Sequence, residues 1–166
     1  LATLKANGSI EKTVVGSIME SLALDSDNEK DFTRLKEIFC KDSLQMASFT
    51  ITEKGYSLID GKGTTLSDVE RDFKNGPDKP ESYMGKVASL LYTRFKNDSL
   101  PIAMVSMDNC SHNGEKLYAA IHAFAENWVK CGKADSGFLA YVSDPRQVSF
   151  PWTMIDKITP RPDASV

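Results

Sequence analysis

Pro101-Ile102-Ala103-Met104-Val105, running directly into Ser106-Met107-Asp108-Asn109-Cys110-Ser111-His112-Asn113-Gly114, is the stretch that decides the fold of this chain. A short, unbroken apolar run suits a strand buried on both faces, as parallel strands are. It ends abruptly in polar residues. Beyond them Leu117, Ile121, Phe124 and Trp128 recur at helical spacing, which predicts a helix from about Asn113 to Cys131. Open α/β sheets place their ligands outside the carboxyl ends of such strands. A connecting turn needs only a glycine and a cap, so the surplus of hydrogen-bonding groups marks 106–114 as the first candidate site.

Working outward, the same alternation recurs. Met46 to Ile51 reads as a strand that finishes in Thr52, Glu53, Lys54, Gly55 and Tyr56. Leu1 to Lys5 and Thr13 to Ile18 read as two strands joined around Asn7-Gly8, a dipeptide favoured in tight hairpins. Ser26-Asp27-Asn28-Glu29 fits a capping box before a helix with Phe32, Leu35, Ile38 and Phe39 on one face. Gly61 to Pro80 reads as an exposed excursion, with Ser67-Asp68-Val69-Glu70 able to cap a short helix. A longer helix carries Met84, Val87, Leu91 and Phe95, another covers Ser136 to Val142, and Val148 to Pro151 is a brief extended run. The order predicts an α/β fold: a largely parallel sheet flanked by helices, with an added antiparallel hairpin.

The 166 residues are 41% hydrophobic and 26% charged, with net charge -3. That gives one domain's worth of core, no basic excess for nucleic acid and no apolar run long enough to span a bilayer. Three widely spaced cysteines, Cys40, Cys110 and Cys131, point to a reducing, cytoplasmic setting rather than a disulfide framework. Leu1 in place of an initiator Met, and the linker-like tail Pro160 to Val166, suggest an internal piece of a longer protein.

Several chemistries can be weighed against plainer roles. Cys110, His112, His122 and Cys131 lack the close ligand pairs that mark zinc sites, so no metal is expected, and His122 reads as a helix-surface residue. Cys110 beside His112 has no third orienting group for a nucleophile. Gly61-Lys62-Gly63 lacks the third glycine and the strand–helix context of a dinucleotide turn. Asp108 and Asn109 are either site residues or loop-amide partners, and Asn113 is a candidate helix N-cap. Asp156, among Met154, Ile155 and Ile158, is either a buried paired carboxylate or a ligand contact, and Glu53 at its strand end has the same two readings.

Three motifs in order, Thr50-Ile51-Thr52-Glu53-Lys54-Gly55-Tyr56, Asp108-Asn109-x-x-x-Asn113-Gly114 and Phe150-Pro151-x-x-Met154-x-Asp156-x-Ile158-Thr159-Pro160, resemble the long-chain mannitol dehydrogenase family. That family includes mannitol 2-dehydrogenase and the fructuronate reductases. The resemblance implies a Rossmann-like partial domain. Residues 1–160 would be the carboxyl-terminal part of the NAD(P)-binding unit, and 161–166 a link to an absent helical domain of the same polypeptide. It implies zinc-independent hydride transfer between NAD or NADP and a polyol, keto-sugar or uronate. Asn109 matches the family's asparagine at the substrate oxygen, Asp156 its aspartate at substrate hydroxyls, and Glu53, Tyr56, Asp108 and Ile155 fall on the cofactor side. The glycine-rich turn and the family's catalytic lysine are missing, so the chain alone is expected not to turn over. Lys157 stands where the family carries arginine and is not taken as the base; Met107 stands where it often has cysteine and reads as packing. The alternative from another class is a non-catalytic α/β ligand-binding or interaction module.

Overall fold

A computed structural model describes residues 2–156. Lys157, the expected unit end at 160 and the tail 161–166 lie outside the described residues. The core is a three-stranded parallel sheet in the order β3-β4-β5: Met46–Phe49, Ile102–Ser106 and Val148–Ser149. Helices α2 (Ser67–Asn75) and α3 (Tyr83–Lys96) connect β3 to β4, and α4 (Asn113–Lys130) and α5 (Gly137–Ser143) connect β4 to β5. Parallel neighbours require such crossovers, so the strand–helix alternation of the sequence becomes βαβ units. Helix α1 (Glu29–Phe39) precedes β3 and packs on α3. Ile102, Met104, Val105 and Ser106 of central β4 are all buried, which is why its sequence does not alternate. Against it pack Leu91, Leu117, Ile121, Phe124 and Trp128, each fully enclosed, with Phe138 of α5 behind them.

Arg94 of α3 is 1% exposed, and its guanidinium takes no carboxylate among the described residues. It donates to the carbonyls of Phe39, Lys41, Leu44, Leu100 and Pro101 at 2.7–2.9 Å. Those five acceptors come from the end of α1, the approach to β3 and the approach to β4, so one planar fork ties the amino ends of both strands to the helix layer.

Several expectations shift. The amino-terminal hairpin forms, but its strands β1 and β2 are Ala2–Leu4 and Ile10–Lys12, not 1–5 and 13–18. Gly8, at φ 81, lets its amide reach Lys5 O at 2.9 Å, which sets Leu4 opposite Ile10. Residues 13–18 are past the paired region and exposed. Strand β3 ends at Phe49 rather than Ile51 because the next amides leave the ladder for a side chain described below. At α1 the cap is Asn28, which accepts from the Asp31 amide at 3.2 Å. Ser26 instead donates to buried Pro80 O at 2.6 Å. The 61–80 excursion is not all exposed. Gly76, Pro77 and Pro80 are buried, and Asp72 is buried and accepts from the Glu81 and Ser82 amides and the Ser82 hydroxyl. Proline has no amide hydrogen to satisfy, so such a segment buries at low polar cost. Met107, expected to pack, is 40% exposed. No helix among the described residues is long and apolar enough to cross a membrane.

Candidate functional site

The carboxyl ends of β3 and β4 lie side by side, Phe49 opposite Ser106. The chain leaves β3 as Thr50-Ile51-Thr52 and enters a 3-10 turn, Glu53–Tyr56; it leaves β4 as Met107 to His112 and enters α4. Buried Asp108 joins the two exits. Its carboxylate accepts from the Ile51 amide at 3.0 Å, the Thr52 amide at 2.8 Å and the Tyr56 hydroxyl. Thr52 sits at φ 66, a conformation costing a non-glycine residue about 1–3 kcal/mol, and the bond to its amide holds it there. Burial works against the Asp108 charge, but the Ile51 amide, the Tyr56 hydroxyl and the Thr52 amide together outweigh it. They keep the carboxyl below its ordinary value of 3.8. Tyr56 is pushed well above its ordinary range, first by burial and then by donating to Asp108, and its hydroxyl also meets Ser106 Oγ at 2.7 Å. Tyr83, at the first turn of α3, is raised by burial and then by the same carboxylate.

The start of α4 is tied to the segment after β5. Asn113 is 1% exposed and is the first helical residue, not the N-cap; that position falls to His112, which makes no side-chain cap bond. Asn113 Nδ2 donates to Asp108 O at 3.1 Å and Thr153 Oγ1 at 2.7 Å, while its Oδ1 accepts from the amides of Gly114 at 2.8 Å and Thr153 at 3.2 Å. Thr153 Oγ1 donates to Ser106 O at 2.5 Å. A Cβ on Gly114 would stand 2.5 Å from Phe150 O and 2.7 Å from Pro151 O, so only glycine admits this approach. His112, left-handed at φ 55, stacks on Trp152 with centroids 4.5 Å apart and bonds Glu115.

The expected site residues divide by exposure. Tyr56 and Asp108 lie beneath the surface with their polar atoms committed to the strand ends. Asn109, Glu53 and Asp156 are exposed, and Ile155 is half-buried. Ser106, Asp108, His112 and Asn113 are all bonded within the chain, whereas the Asn109 amide has no partner among the described residues. Its backbone is nonetheless held, because the carbonyl before it takes Asn113 Nδ2 and the Cys110 amide. Asp156 is left-handed, at φ 57. Glu53 pairs with Lys116 of α4, which that bond raises above the ordinary lysine range. Beside the pair opens a cavity of about 440 Å³ floored by Leu58, Ile59, Ala119 and Ala120. A wider concavity across α1 is lined in part by Arg34, whose guanidinium pairs with both Glu20 and Glu37.

No group of three or more His, Cys, Asp or Glu among the described residues is placed to hold a metal. His122 is half-buried against the Tyr118 ring. The sequence reading placed Ser106 in the candidate stretch without its bonds, and missed Thr153, Tyr83 and Lys116. Thr153 did carry a signal, being a hydroxyl at the edge of an apolar run; Lys116 looked like any helix lysine.

The profile of the mannitol dehydrogenase Rossmann domain matches residues 5–166. D-mannonate oxidoreductase of Thermotoga maritima is 50% identical over 160 residues, 96% of this chain and 29% of that protein. Mannitol 2-dehydrogenase of Cereibacter sphaeroides is 29% identical over 88% of this chain and 28% of its own length. Among solved structures, Pseudomonas fluorescens mannitol 2-dehydrogenase in ternary complex with NAD and D-mannitol superposes with a TM-score of 0.67 at 26% identity, over 99% of this chain and 31% of that one. The chain thus spans under a third of the length of these relatives.

Proposed function

Because this chain belongs to the mannitol dehydrogenase family, as part of its Rossmann domain, we propose that it supplies one side of the active site of a cytoplasmic NAD(P)-dependent oxidoreductase acting on an open-chain sugar acid or polyol, D-mannonate first. The observation that carries the reading is Asn109: a backbone-fixed, exposed amide with no partner among the described residues, at the carboxyl end of the central parallel strand. D-mannonate ranks first because the relative of that name shares 50% of aligned residues and the mannitol enzyme 29%.

The donor set fits the nicotinamide end of a dinucleotide and not its pyrophosphate, since the chain holds no G-x-G-x-x-G turn. When bound, nicotinamide takes up the hydride released from the carbinol carbon. Negative charge grows on the substrate oxygen as its proton leaves, and the Asn109 Nδ2–H donates to it. Asp156 accepts from substrate hydroxyls, which suits a carboxylate with several free lone pairs. Glu53 and Ile155 border the cofactor, with Asp108 and Tyr56 fixing the backbone beneath them. The base lies elsewhere: Lys116 is held protonated by Glu53, and the helical domain is the partner that must provide it.

The test uses the full-length protein with D-mannonate and D-mannitol, each with NAD and NADP. Asn109→Ala should lower kcat by roughly 10²-fold if the amide meets the transition state. An unchanged kcat removes that role, and a wild type inert toward both substrates removes the whole reading.

A further inference from the structure

His112, Asn113 and Gly114 are consecutive, and each is spent on the same four residues, Phe150 to Thr153. The His112 ring lies on Trp152, tilted 20° from parallel. The Asn113 amide grips Thr153 through its backbone amide, its carbonyl and its hydroxyl, at 3.2, 3.2 and 2.7 Å. Gly114 leaves room for the carbonyls of Phe150 and Pro151. The sheet ladder ends at Ser149, so these contacts take over where strand pairing stops.

Asn113 could have served only to start α4, but its bonds go elsewhere. One Nδ2 group reaches both Asp108 O, the carbonyl immediately before Asn109, and Thr153, three residues before Asp156. Thr153 closes the ring by donating to Ser106 O. A single buried amide therefore fixes the two exposed groups of the site relative to each other. We infer that His112-Asn113-Gly114 is a positioning cradle that sets where Asp156 stands with respect to Asn109, and thereby governs substrate affinity rather than hydride transfer. This rests on the roles proposed above for Asn109 and Asp156.

The test is Thr153→Val, with Thr153→Ser as the conservative rescue, in the full-length protein. Valine keeps the shape and removes both hydroxyl bonds, while the bonds of Asn113 to the 108 carbonyl and to the backbone of residue 153 remain. Amide hydrogen exchange across 151–156 should quicken about tenfold, with the α4 core at 117–128 unchanged. KM for D-mannonate should rise about tenfold with kcat within about twofold, KM for NAD(P) unchanged and Thr153→Ser close to wild type. Unchanged exchange overturns the cradle, and so does faster exchange with an unchanged sugar KM or a loss confined to kcat. A wild type without activity on any sugar acid or polyol overturns the functional reading and this substrate role together; an active wild type with an indifferent Thr153→Val overturns the cradle alone.

Discussion

Replacing Asp108 by asparagine isolates the charge at the junction of the two strand exits. The amide oxygen can keep the Ile51 and Thr52 amides, and Nδ2 can donate to Tyr56, whose proton then turns to Ser106 Oγ at 2.7 Å. Geometry survives, and only ionisation is lost. A bond to a charged acceptor contributes about 1 kcal/mol more than a neutral one, and burial of the charge offsets part of the gain from three donors, so the predicted loss is about 1–2 kcal/mol at pH 7. Asp108→Ala removes the acceptor outright and should cost about 5 kcal/mol, with Thr52 released from φ 66. Equilibrium urea denaturation measures both. Because the native carboxyl lies below its ordinary 3.8, the contribution is complete above that value and is lost as pH falls through the lower native one. The gap between wild type and Asp108→Asn should therefore close on acidification. Tyr56 gives the opposite limb: its phenol is raised from 10.0, so its contribution is complete below that value and lost as pH rises through the native one. A wild-type advantage that stays constant down to pH 3, or one under about 0.5 kcal/mol at pH 7, would refute the reasoning.

At Gly114 two effects compete. Alanine gains about 1 kcal/mol of helix propensity, but its Cβ meets two backbone carbonyls that cannot rotate away, a cost of about 2–3 kcal/mol. Gly114→Ala should lower stability by about 1–2 kcal/mol in the same urea assay, and a stabilised variant would show that 150–151 yields freely. Arg94→Met removes five bonds, although Leu100 O keeps the Tyr141 hydroxyl and Lys41 O the Leu44 amide, and should cost about 4 kcal/mol, while Arg94→Lys, lacking the planar fork, should recover less than half of it. Lysine at wild-type stability would reject the five-acceptor account.

The sequence signalled the fold wherever one element imposed one periodicity. The stripe Leu117, Ile121, Phe124 and Trp128 placed α4 to within a residue, and the unbroken apolar run placed β4. It misled where a side chain from far along the chain captures the backbone. Nothing near Ile51 announces that Asp108, 57 residues away, will take its amide and end β3 early. Nothing near Asn113 announces Thr153, 40 residues on, so a grip read locally as a cap. The hairpin was misplaced for a different reason. Residues 13–18 have strand composition, but the Asn7-Gly8 turn admits only the residues next to it as partners. Of the candidate site, Asn109 and Asp156 were legible as polar groups in the wrong company, and Asp108, Tyr56 and Asn113 were named with them; the bonds that join these into one layer were not, because its members share no local pattern.

Arg94 gives the two ends of the sheet different mechanical characters. Its five acceptors belong to three separate segments, so an opening that frees one of them leaves the guanidinium buried and short of partners. The amino ends of the strands therefore open all at once or not at all, in one cooperative unit with the helix layer. The carboxyl ends are tied pairwise instead, by Asp108 across the β3 and β4 exits and by Asn113 and Thr153 across the β4 and β5 exits. Evolution can rewrite exposed positions such as 109, 154 and 156 for a new substrate while these buried ties and the opposite edge keep the domain folded.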